Sequence, residues 1–459
     1  MGKGIRYQLA VISAKTISRS MKLLGKNGTH LPGVVALAIC PDFFKKVTRP
    51  EQLIAVMGTN GKTTVANLII DILEDNGYKL LNNQNGGNIR EGICATLISG
   101  LTLSGKCKYK TAVLEIDEKI SRFVLPYLKP DYLVCTNLFR DSFKRNAHSE
   151  FIADLINNAI PENTKLILNG DDLISSGLAL NNERKYFGVA PLENEKQVTD
   201  NIICDMVICP KCQTRLTYDY QRYNHIGRAH CEKCGFASPN VDYIVNSVDY
   251  ENNLLEIFVN GEIVNLNLIG KNIVDIYNTA AVVAFLAEVG LEISAIKSSF
   301  EKLQLVKSRY NETEINGKKV IMNLAKGQNP VACSRVFDYI RKNEGNISVI
   351  LIVDDYFDAA HTSENIAWIY DADFEFLNCP NIKQIIIGGV RSADYRLRLL
   401  MAGIENEKIV TVEKELDTAN AVDLNLCDKV FILYDVYTIH LAETTQKGVV
   451  SRIEEENND

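Results

Sequence analysis

A short glycine-rich segment constrains the fold of this chain more than any other feature. Residues 55–64 read Ala-Val-Met-Gly-Thr-Asn-Gly-Lys-Thr-Thr, after an apolar run and before apolar residues at helical spacing. A strand, a glycine turn and a helix that begins at Gly-Lys-Thr form a phosphate-binding loop, because backbone N–H groups and the positive end of the helix dipole face the anion. The sequence therefore predicts an α/β domain around a phosphate site. The alternative is a glycine turn that only caps a helix.

The residues of this loop have distinct expected roles. Lys62 would reach the β and γ phosphates, and the hydroxyl of Thr63 would ligate Mg²⁺. The usual pattern has a glycine five positions before the Gly of Gly-Lys, and Val56 stands there, so the loop is a short variant. The expected nucleotide contacts are Gly58, Thr59, Asn60, Gly61, Lys62, Thr63 and Thr64.

Polar residues follow several apolar runs that we interpret as parallel strands. Glu115 ends one run, Asn137 another and Asn169 a third, and Asn278 lies on a later amphipathic helix that begins near Gly270. Ligands bind at the carboxyl edge of open α/β sheets, so these residues are candidates for the nucleotide site. Glu115 would hold Mg²⁺ directly or through water. Solvated strand ends, turn chemistry and an ordinary helix residue remain the alternatives.

Four cysteines predict a structural metal site. Cys209-Pro-Lys-Cys212 and Cys231-Glu-Lys-Cys234 form two C-x2-C pairs, with eighteen residues between them. This spacing is typical of a zinc ribbon, in which four thiolates fill the tetrahedral shell of Zn²⁺. His225 and His230 lie between the pairs but are not needed as ligands. Two disulfides or free buried thiols are the alternatives.

The chain is long enough for more than one domain. We predict an N-terminal helix and irregular connector in residues 1–50, an ATPase domain in 51–305 with the ribbon inserted at about 204–240, and an α/β domain in 306–459. A net charge of −7 gives no support to a nucleic-acid partner. No signal-peptide pattern and no uncharged apolar run of about 18 residues is visible, and the other cysteines are scattered, so we expect a cytoplasmic protein.

These motifs resemble those of the Mur ligase family. The resemblance rests on Gly58–Thr64, Glu115, Asn169 with Asp171-Asp172, and Gly270 through Asn278 to Ala281. Within the family the chain is similar to the MurT group, through the early phosphate loop, the four-cysteine insertion, Leu31-Pro32-Gly33, Thr136–Asp141, Trp368–Glu375 and Gly389–Arg391. The resemblance implies an α/β fold: a Mur-ligase-type P-loop central domain with a four-cysteine zinc-ribbon insertion, and a C-terminal Rossmann-like α/β domain.

The resemblance also implies a function. Such a ligase subunit uses ATP to activate the α-carboxylate of D-glutamate in the lipid II stem peptide as an acyl phosphate. Ammonia from a GatD-like glutamine amidotransferase subunit, bound as a heterodimer, then forms the amide of D-isoglutamine in peptidoglycan biosynthesis. Lys62 and Glu115 would be catalytic, and the cofactors would be ATP, Mg²⁺ and Zn²⁺. The chain would meet a membrane only through the lipid-linked substrate.

The resemblance places a further catalytic acid in the C-terminal domain. An Asp before the Trp is thought to complete the Cys–His pair of the glutaminase partner, and Asp358 is our candidate, with Asp355 and Glu364 as the other acids. The stretch from Asp358 to Trp368 is longer than in the family and lacks its Gly. A divergent ligase that joins an amine or amino acid to another glutamyl substrate, without a glutaminase, is therefore the alternative. A nucleotide-binding regulatory module whose ribbon contacts nucleic acid is a third hypothesis, which the acidic charge disfavours.

Overall fold

The computed structural model describes residues 4–25, 28–84, 87–140, 148–193, 195–303, 310–353 and 366–455. These residues form two compact units. The first takes the described residues up to 140, those from 148 to 199 and those from 205 to 303. The second takes 200–204 and the described residues from 310 onward. The three-part division at residues 50 and 305 stays a prediction.

The first unit is built on one large sheet and one hairpin. Its strands are β1 Gln52–Met57, β2 Leu80–Asn82, β3 Thr111–Glu115, β4 Tyr132–Cys135, β5 Lys165–Asn169, β6 Arg184–Val189, β7 Thr217–Tyr223, β8 Ile226–His230, β9 Tyr243–Asp249, β10 Leu254–Val259 and β11 Glu262–Asn267. The nine-stranded sheet has the order β11-β10-β9-β6-β5-β4-β1-β3-β2, and β7 and β8 form a separate antiparallel pair.

The sheet combines a parallel part with an antiparallel edge. All neighbours from β2 to β9 run parallel, whereas β9, β10 and β11 form an antiparallel meander. Residues 242–268 alternate apolar and polar side chains around Asn252-Asn253 and Asn260-Gly261, which predicts a hairpin or meander, and the structure confirms it. Because β1 lies between β3 and β4, the segments that follow these three strands meet at one edge of the sheet. That edge contains the phosphate loop.

Helices cover the sheet of the first unit. They are α1 Gly4–Leu23, α2 Leu31–Ile39, α3 Phe43–Lys46, α4 Lys62–Asp75, α5 Arg90–Ser99, α6 Ser121–Leu128, α7 Ser149–Asn157, α8 Ile273–Glu288 and α9 Ile293–Lys302. α8 is apolar all round and is buried over most of its length, as expected for a helix between other elements. A core of buried side chains joins α1 and α3 to β1, β3 and β4.

The predicted irregular connector after the first helix is wrong, because this segment forms α2 and α3. By its residue types, Pro32-Gly33 predicts the end of a helical pattern. Pro32 instead lies in the first turn of α2, where its missing N–H is tolerated. Gly33 allows α2 to approach α5 closely, since a Cβ atom there would lie 1.8 Å from the carbonyl oxygen of Glu91. The two residues therefore serve helix initiation and packing rather than termination.

The second unit contains a six-stranded sheet. Its strands are β12 Tyr310–Ile315, β13 Lys318–Leu324, β14 Ile347–Ile352, β15 Ile382–Ile387, β16 Ile409–Thr411 and β17 Lys429–Tyr434, in the order β12-β13-β17-β14-β15-β16. Only β12 pairs antiparallel. The helices Pro330–Arg341, Trp368–Asp371, Ser392–Met401 and Ile439–Glu455 complete the unit. Apolar runs at Val320–Leu324, Ile347–Val353, Gln384–Ile387 and Lys429–Leu433 predict four strands, and β13, β14, β15 and β17 confirm them. The sequence pattern did not predict β12 and β16.

Candidate functional site

The glycine segment forms a strand–loop–helix turn as predicted. β1 ends at Met57, and α4 begins at Lys62 directly after the loop. Gly58 and Gly61 have φ angles of +130° and +86°, which other residues rarely adopt. A Cβ atom at Gly58 would lie 2.1 Å from the hydroxyl oxygen of Thr136. Both glycines are thus required by the backbone and by their neighbours.

The segment after β4 holds the loop in place. The backbone N–H of Thr59 donates to the carbonyl oxygen of Asn137 at 2.8 Å, and that of Asn60 donates to the Asn137 side-chain oxygen at 3.0 Å. In return, the Asn137 amide nitrogen and the Thr136 hydroxyl both donate to the carbonyl oxygen of Asn60, at 3.0 and 2.6 Å. These reciprocal bonds fix the phosphate loop to the neighbouring strand.

Asn278 of α8 lies against the second glycine. Its side chain is buried, and a Cβ atom at Gly61 would lie 2.2 Å from its Oδ1. Its Nδ2 has no hydrogen-bond acceptor among the residues that the structure describes. Such an orphaned donor is costly unless a ligand satisfies it. The residues present therefore fit a bound nucleotide, although the contact itself stays a prediction.

Lys62 forms a buried ion pair with an acid that the sequence analysis did not select. Its Nζ lies 2.7 Å from Oε1 of Glu118, and the two side chains are 13% and 10% exposed. Burial by itself lowers the pKa of Lys62, but the Glu118 carboxylate outweighs it and the net shift is upward. The ammonium group therefore stays charged at the entrance of α4. Glu118 lies three residues after the end of β3, in a run of acids. This position was the only indication in the sequence that Glu118 could belong to the site.

The proposed magnesium ligands occupy the same region. The Oε1 atom of Glu115 accepts from Asn88 at 2.8 Å, and the Glu115 backbone is held by both ends of the Asn83 amide. The side chain of Thr63 is exposed in the first turn of α4. Carboxylate and hydroxyl oxygens are suitable ligands for Mg²⁺. This ligand pair stays a prediction.

The segment after β5 is buried and acidic. Asn169 donates to the carbonyl oxygen of Thr136 at 3.1 Å, so it supports the loop-holding segment. Asp172 accepts from the backbone N–H of Leu138 at 2.8 Å and lies 3.2 Å from Nε2 of His225. Although burial raises the pKa of Asp172, hydrogen bonding to His225 outweighs it and the net shift is downward. Asp172 is therefore an anchor for the site rather than an exposed ligand.

A second buried network connects the hairpin β7–β8 to the sheet. Oδ2 of Asp171 accepts from Tyr277 at 2.7 Å and from Arg222 at 3.0 Å. Arg222 also donates to Glu195 at 2.6 Å and to the carbonyl oxygen of Val189 at 2.9 Å. The sequence analysis missed this network, because its members come from segments that are far apart in the chain.

The four predicted cysteines form one cluster. The sulfur atoms of Cys209, Cys212, Cys231 and Cys234 all lie within 4.8 Å of one another. Backbone turns support both pairs: Gln213 donates to the carbonyl oxygen of Cys209 at 2.9 Å, and Gly235 donates to that of Cys231 at 3.0 Å. The cluster could hold a metal ion with four sulfur ligands. His225 and His230 lie outside it, as predicted.

The remaining catalytic candidates lie in one stretch before Trp368. Asp358, Asp355 and Glu364 all fall outside the described residues, so the role of an acid in this stretch stays a prediction.

The geometry at Gly61 makes a testable prediction. Gly61→Ala is expected to weaken nucleotide binding at least about tenfold, because the new methyl group enters the space of the Asn278 amide and the φ angle disfavours any side chain. Calorimetric titration with an ATP analogue would measure the change. Gly77→Ala is a matched control, since its φ is +82° and nothing lies within 4 Å of the added atom. An equal loss of nucleotide affinity in both variants would show that backbone strain alone explains the effect, without the contact to Asn278.

The fold and the loop together define a Mur-ligase-type α/β protein. Among solved structures, the chain is similar to a pseudomurein peptide ligase type C from Methanothermus fervidus, with a TM-score of 0.65, 19% identity and coverage of 90% of this chain and 81% of that one. It is also similar to MurF ligase from Thermotoga maritima in complex with ADP, with a TM-score of 0.58, 14% identity and coverage of 89% and 81%. At these identities the likeness concerns the fold.

Sequence comparison identifies the family. A model of the MurT ligase C-terminal region matches residues 326–439. The chain is 33% identical to the MurT subunit of lipid II isoglutaminyl synthase (glutamine-hydrolyzing) from Staphylococcus aureus strain COL, over 91% of this chain and 93% of that one. It is 30% identical to the subunit of the same name from Streptococcus pneumoniae strain ATCC BAA-255 / R6, over 94% of both. The chain belongs to the MurT family. No helix in the described ranges has the length and apolar character to cross a membrane.

Proposed function

We propose that this chain is the ATP-dependent ligase subunit of a lipid II isoglutaminyl synthase. It would activate the α-carboxylate of D-glutamate in the stem peptide and convert it to the amide of D-isoglutamine. The observation that carries the proposal is the phosphate loop, with Lys62 at the start of α4 and the Asn278 amide beside Gly61, in a member of the MurT family. These residues support ATP binding, and the names of the relatives support the choice of substrate.

The chemistry consists of two displacements. A carboxylate oxygen of the substrate attacks the γ-phosphorus of ATP, ADP leaves, and an acyl phosphate forms. The nitrogen of ammonia then attacks the carbonyl carbon, inorganic phosphate leaves with the bonding electrons, and the nitrogen loses a proton to give the amide. Lys62 would offset the charge on the transferring phosphoryl group, and the backbone N–H groups of the loop would orient the phosphates. A bound Mg²⁺, held by Thr63 and Glu115, would supply further charge neutralisation.

The ion pair of Lys62 prepares it for this task. Glu118 keeps the ammonium group charged and directed towards the loop, where it also donates to the carbonyl oxygen of Gly58. The phosphates of ATP would compete with Glu118 for the same donor. The lysine would therefore exchange one anionic partner for another, rather than lose a partner when the nucleotide leaves.

The metal of the cysteine cluster is Zn²⁺ in this proposal. Four thiolates leave no open coordination position, so the ion would stabilise the insertion and take no part in the reaction. Tyr218 and Phe236 pack against the buried residues of the cluster. Tyr220 and Tyr223 point elsewhere: Tyr220 donates to the carbonyl oxygen of Val189 at 2.8 Å, and Tyr223 stacks on Phe139.

The ammonia would come from a second protein. The relatives are named as subunits of a glutamine-hydrolyzing enzyme, so we propose a GatD-like glutamine amidotransferase as the partner in a heterodimer. The reaction would take place in the cytoplasm, where ATP and glutamine are available, on a lipid-linked substrate or a related muropeptide.

An amidation assay tests this function. Lipid II is incubated with the purified chain, ATP and Mg²⁺, and the product is followed by mass spectrometry, with ammonium alone or with glutamine and a GatD-like protein. We expect amidation under both conditions and none without ATP. Amidation with ammonium but not with glutamine would support a ligase without a glutaminase. Transfer of an amino acid instead of ammonia would support the divergent-ligase alternative, and no product of either kind would overturn the proposal.

The same assay tests the acid proposed for partner coupling. Asp358→Asn is expected to reduce glutamine-dependent amidation by about 10²–10⁴-fold, as for loss of a group that orients a catalytic histidine, while ammonium-dependent amidation stays unchanged. Glu364→Gln and Asp355→Asn are the matched comparisons in the same stretch. If Asp358→Asn keeps full glutamine-dependent activity and one of the others loses it, the coupling role moves to that residue.

A further inference from the structure

The first helix presents an apolar stripe to solvent. Its inner face consists of buried core residues: Tyr7, Ala10, Val11 and Ala14. On the opposite face Ile5, Leu9, Ile12 and Leu23 are 81%, 50%, 47% and 89% exposed. At 3.6 residues per turn these four positions fall on one line along the helix axis. The exposed Thr16 also falls on this line and interrupts the stripe between Ile12 and Leu23. Contacts with the core do not explain why the other four positions of the line are apolar.

Basic residues border the stripe. By the same helical geometry, Lys15, Arg19 and Lys22 lie on one side of it and Arg6 lies on the other. Burial lowers the pKa of Lys15, and the positive charges of Lys108 and Arg19 lower it further. Like charges therefore lie close together here. Residues 1–41 contain no Asp or Glu, and their basic residues are Lys3, Arg6, Lys15, Arg19, Lys22 and Lys26. The chain as a whole carries −7, so this positive segment is an exception within an acidic protein.

A neighbouring turn also exposes an apolar side chain and lysines. Gly105 lies close to α1, because a Cβ atom there would lie 3.0 Å from the ring of Tyr7. In this turn Leu103 is 57% exposed. Lys106, Lys108 and Lys110, which follow it, are also exposed. Because Tyr7 belongs to the inner face, the turn lies beside the buried side of α1, and its Lys108 acts on Lys15 at the border of the stripe. The turn therefore adds positive charge next to the stripe.

We propose that the outer face of α1 binds an anionic membrane surface, with the helix axis in the plane of the surface. Apolar side chains would enter the boundary between headgroups and acyl chains, while the flanking Lys and Arg side chains would reach lipid phosphates. A protein partner fits less well, since lysine is depleted from protein interfaces. The inference departs from the expectation that the chain meets a membrane only through its lipid-linked substrate. It does not depend on the proposed function, although such a substrate would give this surface a use.

Vesicle binding by the full-length chain tests this inference. Sedimentation is measured with vesicles of phosphatidylcholine that contain phosphatidylglycerol, and with vesicles of phosphatidylcholine alone. We expect at least about tenfold tighter binding to the anionic vesicles, and binding that weakens as salt is added. Leu9→Ser/Ile12→Ser and, separately, Arg19→Gln/Lys22→Gln should each weaken binding by about tenfold. Unchanged thermal unfolding of the variants would show that the fold is retained.

Matched variants and a second readout complete the test. Leu180→Ser replaces a leucine of the first unit that is 76% exposed, and Lys302→Gln removes a charge from α9; both should bind vesicles like the wild type. Equal binding to both vesicle types, or stripe variants that bind like the wild type, would overturn the proposal. So would a wild-type dimer that Leu9→Ser/Ile12→Ser dissociates, because the stripe would then be a protein interface. Ammonium-dependent amidation of a soluble muropeptide should be the same in all these variants, which separates this inference from the proposed function.

Discussion

Lys62→Met is expected to lower the rate of ATP-dependent amidation by at least about 10²–10³-fold. The lysine is the only cationic side chain of the loop Gly58–Thr64, and removal of one preorganised charge or donor from a reacting centre costs that much. Steady-state kinetics with saturating ATP and ammonium would measure kcat independently of the glutaminase. Nucleotide affinity should fall as well, because Lys62 also contributes to ground-state binding of the phosphates.

The same variant affects stability, and this effect must be separated from catalysis. Removal of Lys62 leaves Glu118 buried without its counter-charge, which we expect to cost about 3 kcal/mol of unfolding free energy. The double variant Lys62→Met/Glu118→Gln removes both charges, so it should regain most of the stability and none of the activity. Lys302→Met is the control, since its pair with Asp75 is at the surface and is worth little. An active double variant would refute the assignment of Lys62.

Local signals in the sequence predicted the phosphate loop well. A strand, a glycine turn and a lysine at a helix start are contiguous in the chain, so short-range rules were sufficient for residues 52–75. The cysteine pairs are equally local, and the cluster formed at the predicted positions. The four predicted strands of the second unit are buried runs of apolar residues, such as Ile347–Ile352.

Sequence signals were weaker where long-range contacts decide a residue's role. Glu118 was one of several neighbouring acids until the structure placed it on Lys62. Arg222 was one basic residue in the insertion, and only the fold brings it to Asp171, Glu195 and Tyr277. The short strand β16 and the edge strand β12 each pair with a single neighbouring strand, so periodicity alone did not identify them. These misses share one cause, which is that the decisive contacts are made by residues outside the local pattern.

The hairpin beside the cysteine cluster connects that cluster to the phosphate loop. Its tip carries His225, whose ring packs 4.6 Å from that of Phe139 and bonds to Asp172. Asp172 in turn accepts from the N–H of Leu138, next to the Asn137 that holds the loop. All of these side chains are buried. A disturbance of the cluster would therefore reach the nucleotide site through contacts within the first unit.

Cys231→Ser is accordingly expected to have two effects. The zinc content found by metal analysis should fall from about one ion per chain to none, because a tetrahedral site loses a buried ligand. Zinc contributes on the order of 10 kcal/mol to the folding of small ribbons, so we expect the thermal midpoint to fall by roughly 10 °C. Nucleotide affinity should then fall several-fold, as the hairpin no longer supports Asp172.

The control distinguishes loss of a ligand from loss of a thiol. Cys379→Ser replaces a half-buried cysteine of the second unit that lies outside the cluster. This variant should have the same zinc content and the same thermal midpoint as the wild type. Treatment of the wild type with a strong chelator should reproduce the effects of Cys231→Ser, and added Zn²⁺ should reverse them. A purified wild type that is stably folded and contains no metal would exclude the zinc ribbon. A zinc-free Cys231→Ser variant with unchanged nucleotide affinity would show that the hairpin holds its position by packing alone, and that the cluster and the phosphate loop are independent.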